Sequence, residues 1–459
     1  MAGKARTVWA AAAMVVMAAL PLRAETLADA MADAYEASGL LEQNRALLRA
    51  ADEDVAQAVG LLLPVVNWIA SADATYPASP FATNTAGDVE LSASLGLSAQ
   101  LLLYDGGVTR LAIDAQKENV LATRQSLLSV EQDVLFRVVE AYVDLQRAAE
   151  FVQLRNNNVR LITEQLRAAQ DRFDVGEVTR TDVAQAEARL AAAQTELAVE
   201  QGAYVRAVEE FRAAVGRDPG NLTAATVAPI NQTVAGAKDI ALRNHPALIQ
   251  AQHNVAAAEI NVQRAEAALN PTLTLSARVG IDEDGNDSAG IGLDFSGPIY
   301  QGGRLSSQVR QFMARRDAAR SALLVTAQQV EQQVGNAYSF LQVAQANITA
   351  TAEGVRAARV AFEGIREEAT LGARTTLDVL DAEQELLNAR ANQISAQYEL
   401  VRASYALLST MGLLTAEKLN LRVELYDPTA YYNLVDDAPA RMSPQGEALE
   451  RVLEAIGAE

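Results

Sequence analysis

The sequence contains no cysteine, which excludes a disulfide framework, a thiolate metal site, a cysteine nucleophile and a lipid-modified N-terminal cysteine. Histidine is nearly as scarce: His245 and His253 stand eight residues apart in an Ala-rich stretch and read as ordinary helix residues. Aromatic residues make up 5% of a chain that is 50% hydrophobic, so Ala, Leu and Val carry its apolar character. Side chains that small suit long, closely packed helices better than a bulky globular core. Basic residues are outnumbered 38 to 58, and the net charge of −20 argues against a phosphate-binding surface and hence against nucleic acid as a partner. Neither a metal-ligand cluster nor a phosphate loop is present, and the Gly-Gly pairs lack the strand-to-helix fingerprint of dinucleotide binding. No cofactor is therefore expected, and an enzyme is the least expected class.

Long apolar runs are missing too, except at the start. Lys4 and Arg6 precede an uncharged run from Val8 to Leu20, and Leu22-Arg23-Ala24 offers a small residue at a cleavage point. That is the layout of a secretory signal peptide over residues 1–24. The apolar run is shorter than the ~20 residues a spanning helix needs, so the mature chain is expected to be exported and to cross any membrane with strands.

What the sequence does have is an internal repeat. Tyr104-Asp105-Gly106-Gly107 recurs as Tyr300-Gln301-Gly302-Gly303, 196 residues later. The same offset carries Ala141-Tyr142 onto Ala337-Tyr338, Gly176 onto Gly372, Thr179 onto Thr375, Asp182-Val183 onto Asp378-Val379, and Gly216 onto Gly412. Upstream the offset becomes 207, matching Ala34 to Ala241 and Pro64 to Pro271, so the first copy holds 11 extra residues between Pro64 and Tyr104. Residues 25–220 then form a first structural repeat and 237–412 a second. An equatorial linker, 221–236, separates them, and 413–459 adds an equatorial segment and a polar, weakly ordered tail.

Each repeat contains one stretch of period two. Between 64 and 104, Val66, Trp68, Ala70, Ala72 and Ala74 alternate with Asn67, Ile69, Ser71, Asp73 and Thr75. After a turn-forming stretch at 77–88, Leu91, Ala93, Leu95, Leu97, Ala99 and Leu101 alternate with Ser92, Ser94, Gly96, Ser98 and Gln100. Between 271 and 300, Leu273, Leu275, Ala277, Val279 and Ile281, then Ala289, Ile291, Leu293 and Phe295, do the same. Each is a hairpin with one apolar and one polar face. Four strands cannot close a pore, since the smallest outer-membrane barrels use eight, so a barrel would have to be shared by several chains. The rest reads as helix. Residues 105–173 and 301–371 contain no proline, which allows rods of roughly 100 Å, and shorter runs cover about 27–63, 180–215, 237–269 and 376–411.

The helical turns carry the chemistry. Gly176 and Gly372 end the long helices as left-handed caps, and Thr179-x-x-Asp182 and Thr375-x-x-Asp378 start the next ones as capping boxes. Asp381 lies one turn beyond Asp378 on the same face and is not needed for the cap. Repeated by symmetry, Asp378 and Asp381 would ring a narrow opening and select cations. Arg374, the one base in its turn, is placed to pair with Asp182 of the neighbouring turn.

The signal peptide, the two Tyr-x-Gly-Gly hairpin ends, the Arg172-Phe173-Asp174-Val175-Gly176 turn and the string Gly372-Ala373-Arg374-Thr375-Thr376-Leu377-Asp378-Val379-Leu380-Asp381-Ala382 resemble the TolC family of outer-membrane channel proteins over nearly the whole mature chain. The resemblance implies an α+β membrane protein. Three chains would each give four strands to one twelve-stranded β-barrel in the cell outer membrane, continued into the periplasm by an α-helical barrel of paired coiled helices. It implies an export duct for type I secretion or multidrug efflux, a homotrimer in outer-membrane lipid. A periplasmic adaptor and an inner-membrane ABC or proton-driven transporter would open it at its tip. Asp378 and Asp381 match the family's entrance aspartates, Asp182 and Arg374 match members of its gate latch, and Gly106, Gly107, Gly302 and Gly303 mark the barrel-to-helix junctions. Ala369 stands where the family's namesake has a tyrosine, which implies a looser resting closure. The competing reading is a non-conducting trimeric coiled-coil tether of the cell envelope, and the apolar hairpin faces are what such a tether has no use for.

Overall fold

In the structure, a computed structural model, residues 25–75, 90–441 and 443–456 are described. The expected signal peptide at 1–24 and the turn-forming stretch at 77–88 lie outside these residues. The elements run α1 (Leu27–Ala37), α2 (Gly39–Gly60), β1 (Val65–Thr75), β2 (Glu90–Tyr104), α3 (Val108–Asp174), α4 (Arg180–Val215), α5 (Val234–Asn244), α6 (Pro246–Ala267), β3 (Thr272–Asp282), β4 (Asp287–Ser296), α7 (Arg304–Thr370), α8 (Thr376–Thr410), α9 (Tyr432–Val435) and α10 (Pro444–Ile456). Among the described residues no helix is long and apolar enough to cross a membrane.

The four strands form one antiparallel sheet in chain order, so β2 joins β3 across the helices between them and β1 and β4 are left as edges. The register sorts the faces, with Val65 and Ile69 of β1 as apolar exceptions on the polar side. Trp68, Leu97, Val279 and Ala289 lie side by side, as do Val66, Ala99, Ala277 and Ile291. On the opposite face the rows read Asn67, Ser98, Arg278, Gly290 and Val65, Gln100, Ser276, Gly292. The apolar face is bare: Trp68 is 75% exposed and Ile291 84%. On the polar face Gly96 sits opposite Gly280, and a Cβ on Gly96 would meet the Val279 carbonyl oxygen at 2.7 Å. The backbones of β2 and β3 therefore approach closely there, which only glycine allows.

The helices α3 and α7 are 67 residues each, about 100 Å long, and begin and end 196 residues apart. With its first half α3 packs on α2, where Ile113, Val120 and Leu127 meet Leu41, Leu48 and Val55. Farther along it meets α4, where Val138, Tyr142 and Leu145 bury Phe211 and Val215. The Tyr142 hydroxyl donates to the Thr223 carbonyl at 2.6 Å, and the backbone of Glu25 exchanges hydrogen bonds with Asn221 and Thr223 at 2.8 Å, which straps the linker across the middle of the rod.

Three expectations need correction. The run 27–63 is two helices, because Ser38 leaves the helix to cap α2 through its hydroxyl on the Leu41 N–H. The run 237–269 is also two, because Pro246 holds His245 in extended backbone and takes the first position of α6. The tail is not merely polar. Residues 444–456 form α10, whose Leu449 and Leu453 pack on Ala56, Tyr431 and Val435.

Candidate functional site

At the far end of α3 the chain turns through Val175 and Gly176 into α4. Gly176 has φ +84°, and the Glu177 N–H donates to the Arg172 carbonyl at 2.9 Å while the Gly176 N–H donates to Phe173, the hydrogen-bond pair that closes a helix on a left-handed residue. The α7–α8 turn repeats this with Gly372 at φ +80°, Ala373 on Glu368 and Gly372 on Ala369. Both following helices open with the expected boxes. The Thr179 N–H and hydroxyl each donate to Asp182 Oδ2 at 2.8 Å, and those of Thr375 donate to Asp378 Oδ2 at 2.9 Å. These bonds hold both carboxyls below the usual carboxylate range, the backbone N–H contributing most. Asp182 and Asp378 are thus ionised groups with one oxygen committed to the cap.

Arg374 does not reach Asp182 within the chain. Its Nε donates to Glu368 Oε2 at 2.8 Å, a carboxylate just before its own turn, because the Gly372 cap folds the turn back along α7. Asp381 is not free either: Arg189 on α4 donates from Nη2 to Asp381 Oδ1 at 2.5 Å. Two residues near the turns that the sequence pattern did not single out are Arg189 on α4 and Glu383 on α8. Glu383 is 4% exposed, and both of its carboxylate oxygens lack a hydrogen-bond partner. No local motif marks either one, since the partner of Arg189 lies 192 residues away. Ala369 packs with Ile365 and Ala382 around Phe362 and Val379, so the position offers packing and no hydroxyl.

At the other end, Gly106, Gly107, Gly302 and Gly303 all have positive φ and turn the chain from strand into long helix. In the first junction the Asp105 carboxylate accepts from the N–H groups of Gly107 and Thr109 at 2.9 and 2.6 Å and so caps α3, whose N-cap position is a glycine with no side chain. In the second, Gln301 takes the place of Asp105 and binds the Arg304 side chain instead.

Residues 31–217 and 238–413 match the family model described as outer membrane efflux protein. The chain is 36% identical over 421 residues to the outer membrane efflux protein BepC of Brucella suis biovar 1 (strain 1330), covering 90% of this chain and 91% of that one. It is 26% identical over 423 residues to the outer membrane protein TolC of Escherichia coli (strain K12), covering 86% and 84%. Among solved structures it resembles in fold the outer membrane protein VceC of Vibrio cholerae, with a TM-score of 0.72 at 24% identity over 84% of this chain and 96% of that one.

Proposed function

The chain belongs to the outer membrane efflux protein family, and from that membership we propose how three copies enclose one export duct and what guards its mouth. The protein is a conduit of the outer membrane, not an enzyme, with its helical tunnel in the periplasm, and it serves type I secretion or multidrug efflux. On this reading each copy contributes its four strands to a twelve-stranded barrel, β4 of one pairing with β1 of the next. The observation that carries the reading is the sheet. Its apolar face is exposed, its opposite face is lined with Ser, Gly, Asn and Gln, and two edges stand open. Facing lipid outward and water inward satisfies all three features, because closure alone removes sheet edges in hydrocarbon. A tether leaves them unexplained. Exposed Leu324, Phe340 and Val360 along α7 supply apolar surface for a neighbouring copy.

The helical tips form the periplasmic entrance, where an adaptor joined to an inner-membrane ABC or proton-driven transporter would engage. Asp378 and Asp381 of three copies ring the opening, and Asp378 supplies most of the charge that favours cations, because Asp381 is paired with Arg189. A latch between Arg374 and Asp182 belongs, on this reading, to the contact between neighbouring copies, since within one chain each has another partner. Purified protein in planar bilayers tests the ring. Asp378→Asn with Asp381→Asn, which keeps an acceptor for the α8 cap, is expected to lower the cation-to-anion permeability ratio several-fold. An unchanged ratio dismisses the ring.

A further inference from the structure

We propose that Arg189 is a selectivity-setting and closing residue of the entrance, which neutralises Asp381 and ties the two helical hairpins of one chain together. The proposal rests on reading the tips as the mouth of a duct. Its basis is geometric. Arg189 on α4 reaches Asp381 on α8 at 2.5 Å, joining the hairpin α3–α4 to the hairpin α7–α8. The helices that start at the tips, α4 and α8, touch over only a short stretch, and the hairpins otherwise meet through α3 and α8, where farther from the tips the Tyr398 hydroxyl donates to Glu150 Oε1 at 2.8 Å. The two residues expected to latch the tips are occupied locally, Arg374 on Glu368 and Asp182 in its cap. Moving the hairpins apart therefore has to part Arg189 from Asp381.

The pair is also one-sided. Under the 196-residue offset the counterpart of Arg189 is Glu385 and that of Asp381 is Gln185. The corresponding seam between one copy and the next has a carboxylate facing an amide there, so it gains no ion pair. Each trimer would then carry three of these ties, all within chains. The side chains are 39% and 57% exposed, so water and salt reach the pair. It biases the closed arrangement without locking it, as a mouth that must open requires.

The charge consequence separates this from a purely structural role. With Arg189 in place, Asp378 supplies the net negative charge of the ring, while Asp381 is balanced. Arg189→Gln adds three uncompensated carboxylates to the trimer's mouth. In planar bilayers the cation-to-anion permeability ratio is expected to rise at least about twofold, together with the resting conductance. Arg189→Lys should restore both. In Arg189→Gln with Asp381→Asn one charge of each sign is lost, so the ratio should return toward that of the unaltered chain while the conductance stays raised. If Arg189→Gln channels keep both the original ratio and the original conductance, the proposal is overturned. If the unaltered protein forms no channel, the reading of the chain as a duct fails instead.

Discussion

Glu383 lies two residues past Asp381 on α8, buried and without a hydrogen-bond partner for either oxygen. Burial pushes its carboxyl from the usual 4.5 up to about 7. Below about pH 4.5 the group is protonated whether the chain is folded or not. Between 4.5 and 7 the folded chain keeps a proton that the unfolded chain has lost, so stability falls as pH rises through that window. A shift of that size corresponds to about 3 kcal/mol per chain, fully lost above pH 7. Asp52 behaves alike, raised by burial to about 6 against the opposing charge of Arg124, but its window closes earlier. Glu383→Gln should therefore raise the thermal midpoint at pH 8, leave it unchanged at pH 4.5, and flatten the slope between pH 6 and 7. Circular dichroism melts in detergent across that range check this. A slope between pH 6 and 7 that persists unchanged in the Gln variant shows that a group other than Glu383 sets it.

The helix ends explain why glycine recurs where it does, and with what tolerance. Gly372 has φ +80° and nothing lies within 4 Å of where a Cβ would stand, so Gly372→Ala meets only the left-handed backbone cost of about 1–2 kcal/mol. Gly412, at the end of α8, has φ +75° and lies against the α5–α6 corner, where a Cβ would come within 2.6 Å of the Asn244 carbonyl oxygen. Gly412→Ala should lower the thermal midpoint at least twice as far as Gly372→Ala in the same detergent, and equal shifts would show that the corner yields. Gly216 occupies the matching place in the first repeat, where a Cβ would come within 3.0 Å of the Ala37 Cβ at the α1–α2 corner. The repeat offset exposed both glycines, and period two gave the strands their faces, because such signals are local or copied. The approach of a helix end to a distant corner is neither. The same limit hid Arg189, whose partner is set by how two hairpins cross, and Glu383, whose burial no neighbouring residue announces. Pro246 was a local signal for the break at His245, whereas Ser38 stood in an otherwise unbroken helical pattern and α10 in a mostly polar tail.

For the whole molecule, the decisive question is which side of the sheet meets lipid. Leu97 lies on the apolar face between Trp68 and Val279, and Ser94 on the polar face between Ser71 and Asp282. An arginine directed into hydrocarbon near mid-depth costs about 2–4 kcal/mol in each copy, and a trimer incurs it three times. An arginine directed into a water-filled lumen keeps its hydration, and at position 94 it gains the Asp282 carboxylate across the strand pair. Leu97→Arg should therefore leave little or no SDS-resistant trimer in the outer-membrane fraction. Ser94→Arg should assemble normally and shift permeability toward anions. Equal assembly of the two variants would mean that the apolar face does not meet lipid, and the exposed sheet would then have to bury itself against protein, as a tether requires.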